Sequence, residues 1–530
     1  MKGIHPINPL VNSTLTDLYQ LTMAYTYWKA DKMNQPAVFD VFFRRNPFGG
    51  EFTVFAGIEE VVNFVASFGF SDSQIEYLKQ GPLKGCDPKF FEWLRALDCS
   101  KIKIYSLQEG SLTFPPMPLI RIEGPLAVAQ LLETTILCLI NYPSLEATQA
   151  ARFRLLAGFD KKLIEFGLRR AQGPDGGVSA SRYSYIGGFN ATSNVKAGEL
   201  FGIPVVGTHA HSFVQSFQEI DDLKSKNLRD TEGQERDFVE AVLQIRNALG
   251  YTNTNEGELT AFISYAQGFP DRFLALVDTY DTRRSGVPNF ICVASALKQF
   301  GYEPIGVRID SEDLAYVSKE TRKIFQDAAR KQNLDFSGLT ITASNDINET
   351  AMTEMQRQGH EINIFGIGTN QVTCEAQPAL GCVCKLVMIN GNPRIKLSKG
   401  KITIPGRKEG YRLIGADHTP ILDVIIKVGN EAPQPGKKFF CRHPFEESKR
   451  AYVVPTEVRP LHRLYWDGWK PLKPVSIHDT RNYVLQQLKE FRPDHLRPVN
   501  PTPFKVSVSD ELYNFIHGLW MQEAPIATLA

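Results

Sequence analysis

Ile203-Pro204-Val205-Val206-Gly207-Thr208-His209-Ala210-His211-Ser212 is a short apolar run that breaks into glycine, hydroxyls and two histidines. Three later runs end the same way. Leu274-Ala275-Leu276-Val277 precedes Asp278, Ile305-Gly306-Val307 leads into Arg308-Ile309-Asp310, and Ile362-Asn363-Ile364-Phe365 ends in Gly366-Ile367-Gly368-Thr369. Continuous apolar runs of this length predict strands buried on both faces, with the polar followers at the strand exits. Chemistry gathered at successive strand ends is how an α/β barrel builds a site.

With 530 residues the chain exceeds one ordinary core, so two or three domains are expected. A composition of 43% hydrophobic and 22% charged residues is globular, and a net charge of +1 provides no general field for nucleic acid or a membrane surface. Met1-Lys2-Gly3-Ile4-His5 lacks the apolar core of a signal peptide. No membrane span is expected, since Leu131 to Ile140 is too short and carries Glu133. The eight cysteines form no disulfide framework, and Cys382-Val383-Cys384 in an apolar segment reads as core packing. A cytoplasmic location follows as the expectation.

The predicted organisation has three parts: residues 1–145, 146–395 and 396–530. In the first, a mixed α+β domain, Thr14 to Trp28 reads as a helix capped by Thr14 or Thr16. Ala37 to Phe43 reads as a strand, Ile102 to Ile122 as short strands, and Leu126 to Leu139 as a buried helix. From 146 to 395 strands alternate with helices (Glu146 to Phe166, Pro288 to Phe300, Asp313 to Gln332, Ile347 to Arg357), which predicts an irregular TIM-barrel-like α/β barrel. Ser225 to Glu235 reads as an exposed loop. The last part, rich in Pro-Gly turns, reads as a β-rich module packing on the first domain, ending in helices at Val484 to Phe491 and Asp510 to Met521.

His209 and His211 could share one side of a strand end as a metal pair, but a hydrolase needs further ligands and no later strand end offers a histidine. A single catalytic histidine with Asp278 as its carboxylate partner is the stronger reading, because a carboxylate on one ring nitrogen raises the nucleophilicity of the other. A structural pair remains open, as does a turn or helix-cap role for Asp278. Gly366-Ile367-Gly368-Thr369 is a phosphate cradle or a plain tight turn. Arg308, Asp310 and Asp313 suit an anion and ribose hydroxyls, or an ion-paired helix start. Arg169-Arg170 is a further cationic pair or a solvated helix end.

In order, Thr16-Asp17-Leu18-Tyr19-Gln20-Leu21-Thr22-Met23, Glu165-Phe166-Gly167-Leu168-Arg169-Arg170, Gly187-Gly188-Phe189, Thr192-Ser193-Asn194 and Gly207 to Ser212 resemble nicotinate phosphoribosyltransferase. Asp278-Thr279-Tyr280, Gly306 to Ser311 and Gly366 to Thr369 complete the set. The resemblance runs from Thr16 to about Arg394 and more loosely to the end. It implies attack of nicotinate on 5-phosphoribosyl 1-diphosphate, giving nicotinate mononucleotide and diphosphate, with ATP hydrolysis coupled and Mg²⁺ (or Mn²⁺) held mainly by the diphosphate.

Carried over by residue, the resemblance implies that Tyr19 of a partner subunit and Phe166 sandwich the pyridine ring, hence a homodimer with a shared site. Thr208, Arg308 and Ser193 line the nicotinate pocket. The neutral Ser193 suits a carboxylate substrate where the nicotinamide-using relative carries an Asp. His211 is implied as the residue phosphorylated by ATP, oriented by Asp278. Arg169, Asp310, Gly368 and Thr369 are implied to hold phosphate and ribose. Two positions depart from the family: Glu312 stands where a glycine is usual, and His209 where an apolar residue is expected. A nicotinamide-using transferase, a metal-dependent barrel hydrolase and a catalytically dead binding scaffold are the alternative readings.

Overall fold

The computed structural model describes residues 4–398 and 400–525. The chain divides into two compact units. One comprises Met1–Ala151, Ile186–Gly188 and Cys374–Ala530, and the other Arg152–Tyr185 and Phe189–Thr373.

In the first unit, a six-stranded sheet runs in the order Asn392–Pro393, Cys382–Ile389, Pro36–Phe43, Pro118–Pro125, Lys103–Ser106, Arg463–Trp466, antiparallel throughout. The segment from Cys374 to about 395, expected in the barrel, therefore belongs here: Cys382–Ile389 pairs with Pro36–Phe43, and Cys382 and Cys384 are buried. A second six-stranded sheet is built entirely from residues beyond 407, and Arg412 ties it to the N-terminal part of this unit by bonding both oxygens of Asp423 and the Leu112 carbonyl.

Several helix limits differ from the sequence reading. The first helix spans Leu18–Lys29, with Asp17 rather than Thr14 or Thr16 at its cap position. Thr14 is drawn instead into a turn, its N–H and hydroxyl both donating to Asn12 Oδ1. The long apolar stretch forms helices Leu126–Leu131 and Glu133–Ala157. Together they are long and apolar enough to span a membrane by composition, but 61% of the most apolar window is buried inside the protein. The helix read to Phe166 stops at Ala157, because Gly158 turns at φ 79° and the Arg154 guanidinium donates to the carbonyls of Gly158 and Lys161. The chain thus re-emerges as a strand at Lys162.

That strand lies next to one edge of the second unit's sheet. Its six parallel strands are β1 (Lys162–Glu165), β2 (Ala191–Thr192), β3 (Leu274–Leu276), β4 (Gly306–Ile309), β5 (Thr340–Ala343) and β6 (Ile364–Ile367). They are ordered β3-β4-β5-β6-β1-β2. Helices Val287–Gln299 and Leu314–Gln332 follow β3 and β4 and bury Phe290, Val293, Val317 and Phe325 in one apolar core. Ser225 to Glu235 is part of a small hairpin, Asn227–Arg229 with Glu235–Asp237, rather than a plain loop.

The fold is α/β, but the sheet curls as a half-barrel without closing. The expected strand Ile203 to Val206 contributes one bridge, Val205 to Thr192, and Val205 and Val206 are 44% and 38% exposed. Pro204 has no N–H to give, and Gly207 ends the extension three residues later. Between this segment and β3 two bonds from side chains stand in for a ladder. Thr208 Oγ1 donates to the Leu274 carbonyl at 2.6 Å, and the Leu276 N–H donates to His209 Nε2 at 3.3 Å.

Candidate active site

At the exits of these strands lies a cavity of about 360 Å³, within the range of small-molecule sites. Phe166, Arg169, Ser193, Thr208, Arg308, Asp310, Gly368 and Thr369 line it, so eight residues singled out from the sequence converge there.

The turn after β1 is organised by Glu165. Its buried carboxylate accepts from the Gly167 N–H and from the hydroxyls of Ser181 and Thr192, while its carbonyl accepts from the Ser193 N–H at 3.0 Å. One residue, through its carboxylate and its carbonyl, thereby sets both the Phe166 turn and Ser193. Gly366 has a different role from a phosphate cradle. A Cβ there would meet the Phe166 ring at 2.4 Å, so this glycine makes room for the ring. Gly368 has no such crowding, the nearest atom to its Cβ direction lying at 3.4 Å, and it remains open to the cavity with Thr369.

Arg308, on β4, places its guanidinium carbon 5.9 Å from the centre of the Phe166 ring. Burial pulls its pKa below the ordinary value, opposed by the charges of Asp310 and Asp278. Its Nε is buried without a hydrogen-bond partner. A buried cationic donor left open beside an aromatic face is a receptor for a flat carboxylate. Asp310, at the end of the same strand, accepts from Ser344 Oγ at 2.6 Å. Asp313 points elsewhere: it caps helix Leu314–Gln332 through the Tyr316 N–H.

His211 is beside this wall rather than in the cavity lining. Its Nδ1 is 3.1 Å from Thr279 Oγ1. Its Nε2 lies 3.9 Å from Asp278 Oδ1 and 4.0 Å from Asp310 Oδ2. Asp278 is therefore a charge near the outer nitrogen, and Thr279 is the group at Nδ1. Asp278 is itself held by Ser311 Oγ at 2.7 Å, leaving Oδ1 buried and unpartnered. His209 also borders the cavity, but its ring packs against Phe213, Phe262 and Tyr265, and burial lowers its pKa to about 4. Its Nε2 is engaged by the Leu276 N–H and its Nδ1 is buried, so its ring is not turned alongside that of His211. Among the described residues, no group of three or more His, Cys, Asp or Glu could hold a metal.

Tyr19 lies in the first unit, on helix Leu18–Lys29, and is exposed. Sequence reading missed Ser344, Asn345 and Asp346, which line the cavity after β5. The signal was present in Thr340-Ile341-Thr342-Ala343, a β-branched alternation followed by polar residues. Asn345 and Asp346 adopt φ of 98° and 46°, a left-handed pair at a strand exit. Glu165 and Thr279 were quoted in motifs but given no role of their own.

Residues 14–141, 161–409 and 407–516 match the N-terminal domain, the family and the C-terminal domain of nicotinate phosphoribosyltransferase, respectively. The sequence is 52% identical to nicotinate phosphoribosyltransferase 1 of Arabidopsis thaliana, over 99% of this chain and 96% of that one. It is 43% identical to the nicotinate phosphoribosyltransferase of Homo sapiens, over 96% and 97%. The crystal structure of human nicotinic acid phosphoribosyltransferase superposes with a TM-score of 0.84 at 41% identity, covering 95% of this chain and 99% of that one.

Proposed function

This chain belongs to the nicotinate phosphoribosyltransferase family, and we propose that it joins nicotinate to C1 of 5-phosphoribosyl 1-diphosphate, the reaction that brings nicotinate into NAD synthesis. The observation that carries the substrate assignment is Arg308, whose unpartnered Nε is buried in the wall of a cavity shared with the Phe166 ring. Arg308 neutralises the pyridine carboxylate and Phe166 covers one face of the ring. The neutral Ser193 adds no charge against that carboxylate. Tyr19 of a second subunit covers the other face, which makes the working unit a homodimer.

The ring nitrogen lone pair forms the bond to C1 as the C1–O bond to diphosphate breaks, so positive charge appears on the ring while the leaving group carries away the electron pair. Arg169, Gly368 and Thr369 receive phosphate oxygens, and Asp310 receives ribose hydroxyls. Asp310, with one oxygen tied to Ser344 and the other facing His211, fits a Mg²⁺ that the diphosphate mainly holds. When bound, such an ion would offset charge developing on the leaving group.

ATP enters through His211. With its proton on Nδ1 against Thr279, the outward Nε2 presents a lone pair. Attack on the γ-phosphorus breaks its bond to the β–γ bridging oxygen, ADP departs, and the Nδ1 proton passes to solvent. Later hydrolysis of the phosphohistidine returns the imidazole and phosphate.

The direct test is incubation with phosphoribosyl diphosphate, Mg²⁺ and either nicotinate or nicotinamide, with and without ATP, followed by chromatography of the mononucleotide. Nicotinate mononucleotide formed faster with ATP is the expected result. Product from nicotinamide alone overturns the Arg308 and Ser193 assignment, and no effect of ATP overturns the role of His211.

A further inference from the structure

His209 is the sequence's departure from an apolar position, and it sits at the open seam of the half-barrel. One residue, Ala210, separates it from His211. On one side of the seam, residues 208–211 carry His211; on the other, β3 runs directly into Asp278 and Thr279. These two groups flank the two ring nitrogens of His211. The geometry between nucleophile and partners therefore depends on how the two chain segments are registered. No strand ladder registers them: the links are Thr208 Oγ1 to the Leu274 carbonyl and the Leu276 N–H to His209 Nε2.

We propose that His209 is a positioning residue for phosphorylation at His211: as a neutral acceptor for the Leu276 N–H, it fixes the His211 segment in register with Asp278 and Thr279. This rests on the reading of His211 as the phosphoryl acceptor. Three observations support the assignment. His209 is 8% exposed and wedged among Phe213, Phe262 and Tyr265, so its ring has no freedom to turn away. Its Nε2 must offer a lone pair to the Leu276 N–H, which places the ring proton on Nδ1, buried without a hydrogen-bond partner of its own. An apolar side chain of similar size would fill the space yet leave the Leu276 N–H buried and unpaired at the seam.

The test compares His209→Leu, which fills the space without an acceptor, with His209→Gln, whose amide oxygen reaches the Nε2 position. Acid-labile phosphate incorporated from γ-labelled ATP is timed in the full-length protein, and ¹⁵N shifts of the His211 ring are recorded. His209→Leu is expected to slow labelling about tenfold and to move the His211 Nδ1 resonance, at a melting temperature within a few degrees of wild type. His209→Gln is expected to keep at least roughly half the wild-type rate. Labelling at the wild-type rate with unmoved shifts in His209→Leu overturns the role. So does an equal loss in both variants, which marks a packing effect. If His209→Leu fails to fold, a tenfold loss in folded His209→Gln overturns it, and retention supports it. A wild-type protein that takes no acid-labile label, with His211→Ala unchanged from it, removes the phosphohistidine itself and this role with it. That result is distinct from a labelled wild type matched by its His209 variants.

Discussion

The Arg308 guanidinium carbon lies 5.9 Å from the centre of the Phe166 ring, with Nε buried and unpartnered. A planar carboxylate lying on that ring can take two parallel N–H bonds from the fork, which lysine cannot supply. Arg308→Lys is expected to raise the nicotinate KM about tenfold and Arg308→Gln about a hundredfold, the loss of one and then both elements of a charge-assisted pair. Steady-state kinetics at saturating phosphoribosyl diphosphate read this directly. A KM that stays within twofold in Arg308→Gln takes the carboxylate away from this residue.

The Nδ1 contact with Thr279 separates two variants at the proposed phosphorylation site. His211→Ala is expected to lose ATP stimulation of turnover while melting as wild type, because the side chain is 41% exposed. Thr279→Val removes the partner at Nδ1 without changing the volume much and is expected to lower ATP-stimulated turnover five- to tenfold, about 1 kcal/mol. Thr279→Ser restores it. Equal turnover in Thr279→Val and wild type places the orienting role elsewhere, with Asp278 the next residue to change.

The strand exits that carry Asp278, Arg308, Asp310 and Gly368 were legible in the sequence because continuous apolar runs end there in charge or glycine. Lys162–Glu165 was hidden by its continuity with an apolar helix, and the break comes from the Gly158 turn together with the Arg154 clasp on the Gly158 and Lys161 carbonyls. Thr340–Ala343 was missed because its threonines dilute the apolar signal. Closure was overread at Ile203 to Val206: apolar content suggested burial, but proline and glycine limit the segment to a single bridge. Which ring nitrogen of His211 meets which partner depends on this seam, and no spacing rule encodes it.

Tyr19 belongs to the shared-site part of the proposal. Tyr19→Ala is expected to raise the nicotinate KM by about threefold to tenfold, the range of a lost aromatic stack. The shared site adds a sharper expectation: neither Tyr19→Ala nor His211→Ala alone has full ATP-stimulated activity at low nicotinate, but refolded mixtures regain part of it. Mixed dimers contain one site with both residues intact. Mixtures that give only the average of the two variants show that Tyr19 acts within its own subunit or not at all.

Glu312 stands at φ 67°, in the left-handed region, and its carboxylate is 3.4 Å from Thr282 Oγ1. The family's usual glycine is thus explained by backbone conformation as much as by ligand approach. A non-glycine residue in this region costs about 1 kcal/mol, offset in part by the greater freedom glycine gives the unfolded chain. Glu312→Gly is expected to be more stable by about 0.5 kcal/mol, read as a higher urea midpoint at unchanged slope. A lower midpoint means that the bond to Thr282 outweighs the strain.

Glu258 gives the clearest dependence on pH. It is fully buried on helix Glu256–Gly268, where its carboxylate accepts from Ser285 Oγ at 2.5 Å and Asn289 Nδ2 at 3.0 Å, and Oε1 has no partner. Burial raises its pKa from 4.5 to about 7, against the lowering effect of those two bonds. Between these values the folded chain keeps a proton that the unfolded chain has lost, so this group makes stability fall as pH rises through that window. Above about pH 7 the penalty is on the order of 3 kcal/mol, and below about pH 4.5 it vanishes. Glu258→Gln keeps an oxygen for Ser285 and Asn289 without the charge. It is expected to match wild type in thermal melts at about pH 4.5 and to exceed it by several degrees at about pH 8. A gap of the same size at both pH values shows that the glutamine changes packing rather than titration, and a variant less stable at the higher pH shows that the ionised carboxylate is what the Ser285 and Asn289 donors hold in place.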